Sequence, residues 1–256
     1  MAGGPLAATV AGGWWFTLLV ATASVLMCWE WGRLVRGAQA GVDLGLGLHV
    51  AAVLVAVLLA SFGFPGRGAL VLAVAAAGLL VLDMSRPMSA LGVAYVGLPV
   101  LLIVWLRSDA ALGLTGVLYL FAAVWITDIA AYAAGRTFGG PKLAPSISPG
   151  KTWSGLIGGV TCAGLAGAAF APFVEGASAG RLGLLAVVLA VAAQGGDLYE
   201  SALKRRSGLK DASGLIPGHG GILDRVDGLV AAVAAAAVIV LLPHASAPAR
   251  GLLLGL

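Results

Sequence analysis

Residues 196–228 read GDLYESALKRRSGLKDASGLIPGHGGILDRVDG. The stretch carries Asp197, Glu200, Asp211, Asp224 and Asp227 beside Lys204, Arg205, Arg206, Lys210 and Arg225, five of the chain's 11 acids and five of its 15 bases. These residue types suit chemistry on phosphates. A hard divalent cation such as Mg²⁺ takes one or two carboxylates and completes its shell with substrate phosphates. Lys and Arg neutralise the remaining phosphate charge. If the first part is helical, Asp197, Glu200, Ser201 and Lys204 fall on one face, and Asp224 and Asp227 share a face at the start of a following helix. The expectation is that carboxylates from the two helices converge at a membrane interface. Pro217-Gly218-His219-Gly220-Gly221 separates them and lets backbone approach a ligand closely. His219 is expected to donate to phosphate or to shape this turn. It need not act as a base, because a phosphomonoester is mostly dianionic at neutral pH. A basic anchor for anionic lipid heads explains the Lys/Arg cluster as well, and so do internal salt bridges. Neither explains acids recurring beside it at helical spacing next to a Gly-rich turn.

A second polar loop, residues 127–155, reads TDIAAYAAGRTFGGPKLAPSISPGKTWSG. Asp128 lies near the end of an apolar helix, where an acid is costly unless it is paired or bound to a cation. Asp128 and Tyr132 are spaced i, i+4 and share a face. Gly135, Gly139, Gly140 and the prolines then break the helix. Ser148-Pro149-Gly150-Lys151-Thr152 resembles the end of a nucleotide P-loop, but that motif needs Gly where Pro145 stands and a preceding strand, so the P-loop is rejected. Ser148, Lys151 and Thr152 at a helix N-terminus still suit a phosphate; the plainer alternative is that Ser148 or Thr152 caps the next helix.

The elements that hold these loops are apolar. The 256 residues are 60% hydrophobic and 10% charged, whereas soluble domains are about a quarter charged. This implies a polytopic α-helical membrane protein, since no alternation of barrel strands is visible. Apolar windows place spans at roughly 14–31, 44–62, 68–82, 91–106, 111–134, 155–174, 182–200 and 226–242. Eight spans are expected, with seven or nine as alternatives, in a single membrane domain. Residues 1–110 would be lipid-facing scaffold and 111–243 the catalytic helices, with cytoplasmic loops at 135–154 and 200–225. On this count eleven of the 15 bases fall in the odd-numbered loops, so both termini are expected outside the cytoplasm. No basic n-region precedes the first apolar run, which reads as a retained helix rather than a signal peptide.

Cys28 and Cys162 lie far apart in apolar segments and read as buried small hydrophobes. Trp29 and Trp31 suit an interfacial aromatic belt, Arg33 and Arg36 suit snorkelling, and Glu30 is expected to pair with a nearby Arg. Asp43, Asp83 and Asp109 sit in short loops and receive no chemistry; His49 and His244 read as incidental.

The residues of both loops resemble the phosphatidate cytidylyltransferase (CDP-diacylglycerol synthase) family. Ser201, Lys204, Arg205, Lys210, Asp211, Ser213, Ile216, Pro217, His219, Gly220, Gly221, Asp224, Arg225 and Asp227 follow the family signature without departure. Upstream, Asp128, Ala131-Tyr132, Gly135-Arg136, Phe138-Gly139 and Ser148 to Trp153 are also similar to the family, as are Gly196 to Leu198 and Glu200. Ser154 departs, standing where Glu or Gln is usual. The specific resemblance covers about 127–228.

The resemblance implies transfer of the cytidylyl group from CTP to phosphatidic acid, giving CDP-diacylglycerol and pyrophosphate. It implies Mg²⁺ dependence, with a monovalent ion such as K⁺ beside it, a cation centre at Asp197 and Asp224, and a homodimer. With the reading of the residues added, Asp197, Asp224 and Asp227 would hold metal, with Lys204 and Arg225 as further catalytic groups. Ser148, Lys151, Thr152, Ser201, Arg205, Lys210, His219, Gly220 and Gly221 would bind phosphates. Asp128, Tyr132, Arg136, Glu200 and Asp211 would support them, Asp211 by orienting a Lys or Arg. The expected setting is a bacterial plasma membrane with the site facing the cytoplasm, among membrane lipids and without nucleic acid. Rival readings are a CTP-dependent lipid or polyprenol kinase and a transporter of anionic metabolites. A CDP-alcohol phosphotransferase is disfavoured because Ala231-Ala232 stands where its signature needs Ala-Arg.

Overall fold

The computed structural model describes residues 3–37, 41–82, 84, 87–218, 220–241 and 247–255. His219, Asp83 and His244, named above, lie outside the described residues. The helices are α1 (Gly3–Ala11), α2 (Gly13–Arg36), α3 (Leu44–Ser61), α4 (Pro65–Leu82), α5 (Pro87–Arg107), α6 (Gly113–Phe138), α7 (Trp153–Ala168), α8 (Ala179–Arg206), α9 (Leu223–Leu241) and α10 (Pro248–Leu254). Strands β1 (Lys142–Ala144) and β2 (Ser148–Thr152) form an antiparallel pair.

The architecture is an all-α polytopic membrane protein. Among the described residues, α2 to α6, α7 with the 3-10 turn to Phe173, and α8 are long and apolar enough to cross a membrane, seven in all. The expected third span begins earlier than its apolar run, at Pro65, where a missing N–H costs a helix nothing. The expected eighth span corresponds to α9, whose first turns carry Asp224, Arg225 and Asp227.

The chain packs as two compact units. The first comprises residues 1–108 and 203–226. Trp31 is buried in it, donates from Nε1 to Met88 O at 2.9 Å and stacks on Tyr95. It therefore faces protein rather than an interfacial belt; its position near a helix end does not say which way the ring turns. Gly92 on α5 makes room for it, since a Cβ there would lie 2.2 Å from Trp31 Nε1. A cavity of about 320 Å³ lies beside this contact, lined by residues including Trp31, Arg36, Asp43, His49, Leu79 and Ser89. Asp43 caps α3 by accepting from Leu46 N at 2.8 Å and pairs with Arg36.

The second unit comprises residues 109–202 and 227–256. Small residues bring its helices close, as expected where lipid leaves packing to drive association. Cβ atoms added at Gly155, Gly158 and Gly159 of α7 would lie within 2.8 Å of α6 atoms. Gly167 meets α8 in the same way, and Tyr119 OH donates to Leu182 O. Gly196 of α8 lies against Ala231 and the Asp227 carbonyl of α9.

Candidate active site

In the second unit, one polar chain links α6, β2 and α8. Gln194 Nε2 donates to Asp128 Oδ1 at 3.0 Å, and Gln194 Oε1 accepts from Lys151 Nζ at 3.0 Å. Lys151 Nζ lies 2.7 Å from Asp197 Oδ2, and Ser201 Oγ donates to Asp197 Oδ1 at 3.3 Å. The shared face of Asp197 and Ser201 is thus as the helical spacing predicts. Glu200, next to Ser201, is fully buried. Gln194 was not singled out from the sequence, although a lone amide one turn before Asp197 in an apolar helix is the signal that could have found it.

The hairpin corrects one expectation. Ser148 to Lys151 lie on strand β2 rather than at a helix N-terminus. Thr152 is the residue that caps α7, its Oγ1 accepting from Gly155 N at 3.1 Å. Ser154 also hydrogen-bonds Thr152 Oγ1, at 3.0 Å, and donates to Gly139 O. Its short side chain ties the hairpin base to the end of α6. Tyr132 and Arg136 are exposed on α6 and bonded to each other at 3.0 Å. Asp227 Oδ1 accepts from Gly228 N at 2.7 Å.

In the first unit, Lys204 Nζ lies 2.6 Å from Asp224 Oδ1. Asp224 Oδ2 accepts from Ala212 N at 2.9 Å and Gly221 N at 2.7 Å. Burial raises the Asp224 carboxyl's affinity for a proton. The hydrogen bonds from Lys204 and from the Gly221 and Ala212 amides, with the lysine charge, outweigh it and hold the group below its ordinary range. The loop between α8 and α9 turns through positive φ at Gly208, Gly218 and Gly220. Ile216 N donates across it to Gly220 O at 2.9 Å. Arg205, Lys210, Asp211 and Arg225 are exposed, and an Arg205 guanidinium nitrogen donates to Leu209 O at 3.5 Å.

Glu30 differs from its expected pairing with an arginine. Its carboxylate is fully buried and accepts from Ser213 Oγ at 2.6 Å, Ile222 N at 2.9 Å and Leu223 N at 2.6 Å. Arg33 and Arg36 are engaged otherwise: Arg33 Nε donates to Ala212 O at 3.3 Å, and Arg36 pairs with Asp43. The loop is therefore docked on the end of α2, with Ser207 Oγ donating to Leu34 O at 2.6 Å as well. Among the described residues, no three His, Cys, Asp or Glu side chains gather as a metal cluster.

Residues 1–242 match the profile of the cytidylyltransferase family. The chain is 42% identical to a phosphatidate cytidylyltransferase of Brucella suis biovar 1 (strain 1330) over 232 residues, 88% of this chain and 84% of that protein. It is 48% identical over 126 residues to a phosphatidate cytidylyltransferase of Haemophilus influenzae, covering 47% of this chain and 44% of the other. With a phosphatidate cytidylyltransferase of Staphylococcus haemolyticus the identity is 44% over 138 residues, 54% of this chain and 52% of the other.

Proposed function

Because the chain belongs to the cytidylyltransferase family, we propose that it transfers the cytidylyl group of CTP to phosphatidic acid, releasing pyrophosphate and forming CDP-diacylglycerol. The observation that carries this reading is the folded signature loop. Lys204 and Asp224 stand twenty residues apart in sequence yet meet at 2.6 Å, with the backbone amides of Gly221 in the Gly-rich turn and of Ala212 gathered on the same carboxylate.

The phosphatidate phosphate attacks the α-phosphorus of CTP in line, and pyrophosphate leaves. Both reactants are anions, so the protein contributes mostly charge neutralisation and positioning. Lys151, Lys204, Arg205, Lys210 and Arg225 are the residues we assign to phosphate. Asp128 and Gln194 hold Lys151 in place through the hydrogen bonds described. The acyl chains remain in the bilayer. The basic bias of the odd-numbered loops supports a site on the cytoplasmic side of the membrane, which we take to be a bacterial plasma membrane.

Mg²⁺ is part of this proposal. The donor chemistry supports it: Asp197 keeps a partly exposed carboxylate, 31% of its side chain open, beside the Ser201 hydroxyl. Mg²⁺ needs only one or two such carboxylates when substrate phosphates complete its shell. Both carboxylates are engaged, Asp197 by Lys151 and Ser201 and Asp224 by Lys204 and two backbone amides, so either would join a metal only by exchanging a donor. Bound Mg²⁺ would supply charge neutralisation at the phosphates. The homodimer and the monovalent cation rest on the family resemblance.

The test is pyrophosphate release by purified protein in detergent micelles with CTP, phosphatidic acid and Mg²⁺, each omitted in turn. Release that requires all three, with a CDP-lipid product, is expected. CDP release without pyrophosphate would replace the transferase with a kinase.

A further inference from the structure

We infer that Glu30 is a positioning residue for the signature loop, an inference that rests on the reaction proposed above. A carboxylate buried in an apolar helix is costly unless its acceptor capacity is filled. Glu30 fills it from far along the chain, with partners 183, 192 and 193 residues away. Two of those partners are the amides of Ile222 and Leu223, at the entrance to α9. The first amides of a helix have no partner within it, and negative charge is favoured there. Glu30 thus caps α9 from another helix.

Its role interlocks with that of Asp224. Ala212 and Ser213 lie on one arm of the loop, and Gly221, Ile222 and Leu223 on the other. Asp224 takes the amides of Ala212 and Gly221; Glu30 takes the Ser213 hydroxyl and the amides of Ile222 and Leu223. Each carboxylate grips both arms, and the two together staple the loop shut. Gly221 is required by this arrangement, because a Cβ there would lie 2.2 Å from Glu30 Oε1. Glu30 therefore acts through Asp224, and hence on the Lys204 ammonium, without being assigned any contact with substrate.

Glu30→Gln keeps the shape but turns an amide NH₂ toward N–H donors. Turnover per folded molecule is expected to fall about tenfold to a hundredfold, the scale of one charged hydrogen bond, with KM for CTP changed less than about threefold. Amide hydrogen exchange of the segment 212–223 should quicken by at least about tenfold while the rest of the chain is unaffected, since a carboxylate no longer holds those amides. Ser213→Ala should move both readouts the same way by less. Gly221→Ala should lower Tm in the wild-type background and by less when combined with Glu30→Ala. Wild-type turnover and unchanged exchange in Glu30→Gln would overturn the inference, as would reduced yield with unchanged turnover per folded molecule. If Glu30→Gln does not fold, Ser213→Ala and the Gly221 pair decide by the same measures. If the wild-type protein releases no pyrophosphate, the proposed reaction falls, while hydrogen exchange still decides whether Glu30 holds the loop.

Discussion

Lys151 Nζ lies 2.7 Å from Asp197 Oδ2 and 3.0 Å from Gln194 Oε1, so one ammonium joins the hairpin to α8. It also sits where it competes with any other cation for Asp197. Lys151→Met is expected to lower turnover by about tenfold to a hundredfold, the value of a charged hydrogen bond. The same change should lower the Mg²⁺ concentration needed for half-maximal rate, because Asp197 loses its resident cation. Pyrophosphate release measured across a Mg²⁺ titration reads both. An unchanged Mg²⁺ requirement would take Asp197 out of metal holding.

Lys204 and Asp224 form a second close pair, with side chains only 11% and 6% exposed. Asp224→Asn takes away the carboxylate that lies 2.6 Å from the Lys204 ammonium, and breaking one side of such a pair costs about 3 kcal/mol where it is buried. A marked drop in Tm and loss of turnover are expected. Adding Lys204→Met removes the other half of the pair, so Tm should recover in part while turnover stays low. Recovery of turnover in the double variant would make the pair structural only.

Much of this was legible in the sequence, and the gaps have physical causes. Composition gives the membrane class directly, and the i, i+4 spacing of Asp197 and Ser201 gives their shared face. The helix break is visible, although α6 runs through Gly135 to Phe138 and ends at Gly139; the short β1–β2 hairpin is not, because its strands of three and five residues hold no run of β-branched or aromatic side chains. Thr152 as a cap follows from its residue type; Ser148 as a strand residue does not. Glu30 escapes local reasoning altogether. Its partners lie more than 180 residues away, and an acid beside Arg33 and Arg36 reads first as a local ion pair.

The depressed Asp224 carboxyl has a signed consequence for pH. Burial alone would raise it, but the Lys204 bond, the Gly221 and Ala212 amides and the lysine charge more than offset that. A carboxyl held below its ordinary value of 3.8 contributes stability that is complete above that value and disappears as pH falls through the lower folded one. Tm should therefore show no Asp224 contribution to its slope between pH 7 and 5. Below about pH 4 the wild type should lose Tm faster than Asp224→Asn, which has no carboxyl to protonate there. Parallel curves for the two proteins down to pH 2.5 would contradict the assignment.

The side of the membrane on which the chain ends turns on α9. Among the described residues, seven other helices satisfy length and apolarity for crossing, and an odd number would place the two ends on opposite sides. Asp224, Arg225 and Asp227 occupy the first turns of α9, while residues 228–241 carry no charge. Charged residues at a helix start can remain at the interface while the apolar remainder enters the bilayer. Fourteen helical residues span about 21 Å, short of a hydrocarbon core of about 30 Å, a mismatch that local thinning of the bilayer accommodates. We expect α9 to cross, giving eight spans and both ends outside the cytoplasm. A reporter active only outside the cytoplasm should then work when fused after residue 256 and stay silent when inserted in the β1–β2 turn or after Lys210. A silent C-terminal fusion would mean that α9 lies in the interface instead, and would reduce the count to seven.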